Sequence, residues 1–146
     1  MGSIALKGAE LLLYPTAIGR PHGPSSYPVA NSKPHWQRTM QGHAAANMVT
    51  VAAANRIGVE KGEEYATAFY GGSFIADETG ALALELGETE TGVGVASFDL
   101  DRIAEFRKYW GVFRTRRSDL YGSICTQPLS EYLQSRETRA LPVTAA

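Results

Sequence analysis

The sequence predicts an α/β fold, with mixed strands covered by helices, from three observations. Glu10 to Tyr14 (ELLLY) is a short apolar run of strand type. Behind Pro34, the residues Trp36, Met40, His43 and Asn47 recur at helical spacing. Between Thr67 and Phe98, short β-type runs alternate with glycine-rich breaks.

Taken in order, Ile4 to Gly8 reads as the last turns of a helix stopped by Gly8. Glu10 to Tyr14 is apolar enough for a central strand buried on both faces, and Pro15 is expected to end it. Thr16 to Pro34 holds Gly19, Pro21, Gly23, Pro24, Pro28 and Asn31, a density of breakers that predicts a long loop without regular structure. Pro34 then suits the start of a helix of about three to four turns. Met48 to Ala54 is the next strand, closed by Asn55-Arg56-Ile57-Gly58, and Glu60, Gly62, Glu63 and Glu64 mark a solvated turn. Thr67 to Tyr70, Ser73 to Ala76, Ala81 to Leu86 and Val93 to Phe98 read as meandering antiparallel strands, with Thr79-Gly80 closing the clearest hairpin. Asp99 is placed to cap a helix over Leu100 to Tyr109, whose Leu100, Ile103 and Phe106 share a face. Neither a repeat nor a linker interrupts the pattern, so residues 1–127 are expected to form one structural portion and 128–146 a disordered tail.

Composition narrows the function classes. The chain has 146 residues, with 14 Lys and Arg against 15 Asp and Glu, so it carries no basic footprint for nucleic acid or an anionic membrane. Its longest apolar run is too short to span a bilayer, and the expected location is cytoplasmic. The single cysteine, Cys125, excludes an internal disulfide and fits a reducing compartment.

Several ordered segments carry a resemblance. Ala5 to Gly19 (ALKGAELLLYPTAIG), His35-Trp36-Gln37-Arg38, Met40 to Ala44 with Asn47, and Ala54 to Gly58 come first. Phe69 to Asp77, Phe98 to Asp101, and Trp110 to Arg114 with Asp119-Leu120-Tyr121 follow in the same order. Together they resemble the C-terminal half of the N-carbamoylputrescine amidohydrolases of the nitrilase superfamily. The resemblance implies an α-β-β-α four-layer sandwich, of which this chain would form part with the N-terminal half missing. It further implies a homo-oligomer joined through helical faces, no cofactor, and hydrolysis of N-carbamoylputrescine to putrescine, carbon dioxide and ammonia. The family's chemistry uses a Glu base, an oxyanion-stabilising Lys and a Cys nucleophile. All three precede the segment matched by Ala5 to Ile18, so no catalytic residue is assigned here and the chain alone is expected to be inactive. Competing expectations are a non-catalytic module that dimerises with a full-length paralogue, and a fragment of an amidase for another linear amide.

Thr16, Ala17 and Ile18 follow the end of a buried strand, where α/β enzymes place ligand contacts, and in the resembling amidases this loop faces the substrate. Asn55 ends the next strand and is a second candidate for substrate binding, although an Asn there also suits fixing a turn. Cys125 has no His or Glu at an activating spacing and reads as an incidental thiol. His22, His35 and His43 form no metal-ligand pattern. Gly71-Gly72-Ser73 lacks the Lys of a phosphate loop and suits close backbone packing instead. Arg114, Arg116 and Arg117 form the one basic cluster, read either as solvated or as pairing with carboxylates across a dimer interface. Trp36 and Trp110 read as core or interface anchors.

Overall fold

A computed structural model describes residues 2–22, 31–63 and 65–122. Cys125 and the tail 128–146 lie outside them. Contacts divide the chain into two compact units, Met1–Val112 and Phe113–Ala146.

Among the described residues, the first unit contains three helices and seven strands: α1 (Gly2–Leu6), β1 (Leu11–Thr16), β2 (Gly19–Pro21), α2 (Lys33–Asn47), β3 (Thr50–Asn55), β4 (Ile57–Lys61), β5 (Ala66–Tyr70), β6 (Phe74–Ala76), β7 (Leu82–Glu85) and α3 (Leu100–Trp110). The α/β class is therefore observed, although the strands do not form one meander. They make a four-stranded sheet in the order β1-β3-β6-β7 and a three-stranded sheet in the order β2-β5-β4. Strands β1 and β3 run parallel, with Thr16 opposite Asn55, and all other pairings are antiparallel.

The larger sheet has two different faces. Paired residues share a face, so Val51, Ala53, Phe74 and Ala76 lie together, and all four are buried. Trp36 of α2 covers them, packing edge-on to Phe74 at a centroid distance of 5.3 Å and tilted against Tyr70 at 6.0 Å. Leu13, Ala52, Ile75 and Leu84 are paired in sequence across the opposite face. That face is apolar but open: these residues line a groove of about 480 Å³, and Leu13 is 67% exposed.

Two helix ends are fixed by specific hydrogen bonds. Asp99 caps α3 as expected, its Oδ1 accepting from the Arg102 N–H at 2.9 Å. At the end of α2, Met48 adopts a left-handed conformation (φ 48°), and its carbonyl accepts from Arg107 Nη2 at 2.7 Å. This displaces the start of β3 to Thr50. A further tie runs from Arg102 to the buried Glu78 in the β6–β7 turn. Asp77 Oδ1 organises that turn by accepting from the N–H groups of Thr79 and Ala81, and Gly80 (φ 85°) closes it.

Several expectations meet a different structure. Among the described residues, β1 stands at the edge of its sheet with β3 as its partner and only Leu12 buried among its apolar residues, as a central strand would when the strands expected to flank it are not in the chain. Pro15 continues it to Thr16, since an edge strand tolerates a missing ladder donor. The expected loop from Thr16 contains β2, stabilised by pairing with β5, and the expected turn after Asn55 becomes β4 on the far side of β5. Val93 to Phe98 is not a strand: no strand pairs with it among the described residues, and Val93 and Val95 are 92% and 80% exposed. Trp110 is exposed, with its ring against Phe106, which removes the core role and leaves the interface role open.

In the second unit, Ser118–Leu120 forms a single 3₁₀ turn. Arg117 pairs with Asp119 (Nη2 to Oδ2, 2.6 Å), which lowers the Asp119 pKa, and Arg116 Nε donates to the Phe113 carbonyl at 3.0 Å. Among the described residues, no helix is long and apolar enough to cross a membrane.

Candidate functional site

The site is built where the parallel strands β1 and β3 end side by side. After Thr16 the chain turns through Ala17 and Ile18 into β2, and after Asn55 it enters β4. A third segment, Gly71-Gly72-Ser73, arrives from β5 on its way to β6. The Asn55 side chain joins all three. Its Oδ1 accepts from the Ile18 N–H at 2.9 Å, and its Nδ2 donates to the Ile18 carbonyl at 3.0 Å and the Gly71 carbonyl at 2.9 Å. The Thr16 hydroxyl lies 3.0 Å from the Ala54 carbonyl and 3.2 Å from Asn55 Oδ1. The Asn55 backbone N–H donates to Ser73 Oγ at 2.9 Å.

Close approach explains the glycines. Gly71 and Gly72 both have positive φ (54° and 64°), a region that disfavours side chains. A Cβ on Gly71 would fall 2.7 Å from Ile57 Cγ2 and 2.9 Å from the Gly87 and Glu88 carbonyl oxygens. On Gly72 it would meet the Lys33 side chain. Lys33 in turn reaches Glu88 at 3.0 Å and Glu85 at 3.2 Å, and Gln37 also donates to Glu85. Burial opposes the Lys33 charge, yet hydrogen bonds and charges from Glu88 and Glu85 outweigh it and raise the ammonium pKa.

Beside these segments lies a second concavity of about 320 Å³, lined by Asn55, Arg56, Ser73, Leu86, Glu90 and Thr91 among others. Arg56 is engaged elsewhere, paired with Glu60 at 2.7 Å and stacked 4.3 Å over the Phe69 ring. Glu90 is exposed at the rim.

Of the residues picked out from sequence, Thr16, Ala17, Ile18 and Asn55 are therefore brought together. His22 and His35 are exposed and His43 is half-buried on α2; none joins this group. Among the described residues, no three His, Cys, Asp or Glu side chains converge as metal ligands. Sequence reasoning missed the contributions of Ser73 and the Gly71 carbonyl, for which the adjacent glycines were the available signal, and missed Lys33 entirely. Chemically, the described site presents main-chain groups held in place by an amide and hydroxyls, which suit orienting a polar substrate more than attacking it.

A mixed α/β chain with its polar loops gathered at the ends of parallel strands has the arrangement in which α/β proteins place their ligands. The sequence profile of the carbon-nitrogen hydrolase family matches residues 2–108, and the chain belongs to that family. It is 49% identical over 122 residues to the citrullinase of Francisella tularensis, and 49% identical over 129 residues to the N-carbamoylputrescine amidase of Solanum tuberosum. These matches span 83% and 85% of this chain but 41% and 42% of those relatives. A carbon-nitrogen hydrolase from Helicobacter pylori superimposes with a TM-score of 0.75 at 34% identity, covering 84% of this chain and 43% of that one.

Proposed function

We propose that the chain forms the C-terminal part of a cytoplasmic amidase that hydrolyses N-carbamoylputrescine to putrescine, carbon dioxide and ammonia. The 49% identity to plant N-carbamoylputrescine amidases carries this reading. Thr16, Ala17 and Ile18 would face the substrate, while the Glu, Lys and Cys of the reaction lie outside residues 1–146. The open groove over Leu13, Ala52, Ile75 and Leu84 supports this division, since a second layer packed there would bury it. The complete enzyme is expected to be a homo-oligomer joined through helical faces.

The equal identity to a citrullinase favours a second reading, in which citrulline is the substrate. Both substrates carry a carbamoylated nitrogen on a short alkyl chain with an amine; citrulline adds a carboxylate. A hybrid in which this chain replaces its counterpart in the Solanum tuberosum amidase decides between them. Higher kcat/KM on N-carbamoylputrescine supports the first reading, and higher kcat/KM on citrulline the second. Turnover of neither overturns both. The 146-residue chain assayed alone is expected to turn over neither.

A further inference from the structure

We propose that Asn55 is a positioning residue of this site: its carboxamide fixes the Ile18 peptide and thereby presents the Ala17 main chain to the substrate. This rests on the amidase reading and adds to it a residue that acts without touching substrate.

The hydrogen-bond inventory decides between contact and support. A carboxamide has two N–H donors and one carbonyl acceptor. Both Asn55 donors are used, one on the Ile18 carbonyl at 3.0 Å and one on the Gly71 carbonyl at 2.9 Å. Its oxygen takes the Ile18 N–H at 2.9 Å and also lies within reach of the Thr16 hydroxyl. No donor is left for a ligand. The paired contacts to the N–H and C=O of one residue, Ile18, do what a neighbouring strand does for its partner, at a point where β1 has ended and β2 has just to begin.

Ala17 is the residue this arrangement leaves over. It is exposed, and among the described residues it makes no hydrogen bond, whereas Thr16 and Ile18 on either side are both held. Because the brace also grips Gly71, it ties the loop to the Gly71-Gly72-Ser73 turn, where a Cβ on Gly71 would meet backbone at 2.9 Å. Movement of either segment is thus resisted from both ends. Aspartate at 55 keeps the size but exchanges two donors for acceptors, turning a negative oxygen toward two carbonyls; serine removes the reach altogether.

The test uses the hybrid enzyme, with Asn55→Asp and Asn55→Ser compared against Arg102→Ala, a destabilising change in the α3 contact to Glu78 and outside this site. Each variant is measured for Tm, for kcat and KM, and for hydrogen exchange in the peptide covering residues 11–19. Misplacement of a substrate-orienting group by about 1 Å costs on the order of 100-fold. Accordingly, Asn55→Asp is expected to lose roughly 100-fold in kcat/KM, with faster exchange in that peptide. Arg102→Ala is expected to lower Tm at least as much while keeping kcat/KM within roughly threefold. An active hybrid whose Asn55→Asp and Asn55→Ser variants keep kcat/KM, or lose it only in step with Tm as Arg102→Ala does, overturns the positioning role alone. An unsubstituted hybrid inactive on both substrates overturns the amidase reading, and this role with it.

Discussion

Alanine at Gly71 and at Gly72 makes two superficially identical changes that the structure predicts to be unequal. Both residues have positive φ, so each substitution meets a left-handed penalty of roughly 1–2 kcal/mol. The surroundings then differ. At Gly71 the new Cβ would lie 2.7 Å from Ile57 Cγ2 and 2.9 Å from two carbonyl oxygens, and backbone moves only at the expense of its own hydrogen bonds. Overpacking of this sort adds about 1–3 kcal/mol. The Gly71 carbonyl is also an acceptor for Asn55, so the strain would reach the site. At Gly72 the obstacle is the Cε of Lys33, the far end of a flexible side chain. Lys33 would swing aside and lose Glu85 and Glu88, partners of intermediate to high exposure whose loss costs about 1 kcal/mol at most.

We therefore expect Gly71→Ala to cost about 3–4 kcal/mol and Gly72→Ala about 2 kcal/mol, measured by urea unfolding of the hybrid enzyme. Truncating the obstacle sharpens the test. In a Lys33→Ala background the Gly72→Ala clash is gone, and its cost should fall to the backbone penalty of roughly 1 kcal/mol, a coupling of about 1 kcal/mol. Gly71→Ala should be unaffected by the same background. The reasoning is refuted if Gly72→Ala costs as much as Gly71→Ala, or if removing Lys33 leaves the Gly72 cost unchanged.

Other outcomes follow from the same contacts. Arg102→Ala strands the buried Glu78 carboxylate and should cost about 2–3 kcal/mol in urea unfolding, whereas adding Glu78→Gln to it should recover part of that loss because a neutral amide is cheaper to bury. Lys33 has a folded-state pKa raised above its ordinary 10.5, so its contribution is complete below that pH and disappears as pH rises through the folded value. Lys33→Met should accordingly flatten the alkaline limb of a stability-versus-pH curve above about pH 10.5 and leave the slope at pH 7 unchanged. The isolated chain should melt broadly by circular dichroism, because edge strand β1 exposes Leu11 and Leu13 beside the open groove. A sharp, cooperative transition would contradict that.

What the sequence made legible, and what it did not, divides along the line between local and non-local causes. Helices α2 and α3 were readable because their signals are internal: Pro34 at the start of one and Asp99 at the start of the other. The β6–β7 turn was readable for the same reason, since Asp77 and Gly80 act within a few residues of themselves. Strand β2 has almost no strand character of its own in Gly19-Arg20-Pro21, and it exists because Thr67 to Phe69 lies opposite. Val93 to Phe98 is the converse case, a run with β propensity and no partner to express it. The apolar pattern of Leu11 to Leu13 could not distinguish a central strand from an edge, because that depends on which strands flank it.

The site obeys the same rule. Thr16 to Ile18 and Asn55 were each legible as strand-end residues, but they are 37 or more positions apart, and nothing local to either says that one holds the other. Their meeting depends on the parallel register that sets Thr16 opposite Asn55, and on the two glycines that let the Gly71 carbonyl approach. A side chain's role therefore came last. The residue type was consistent with both binding and bracing, and only the filled hydrogen-bond capacity of the Asn55 carboxamide separates the two.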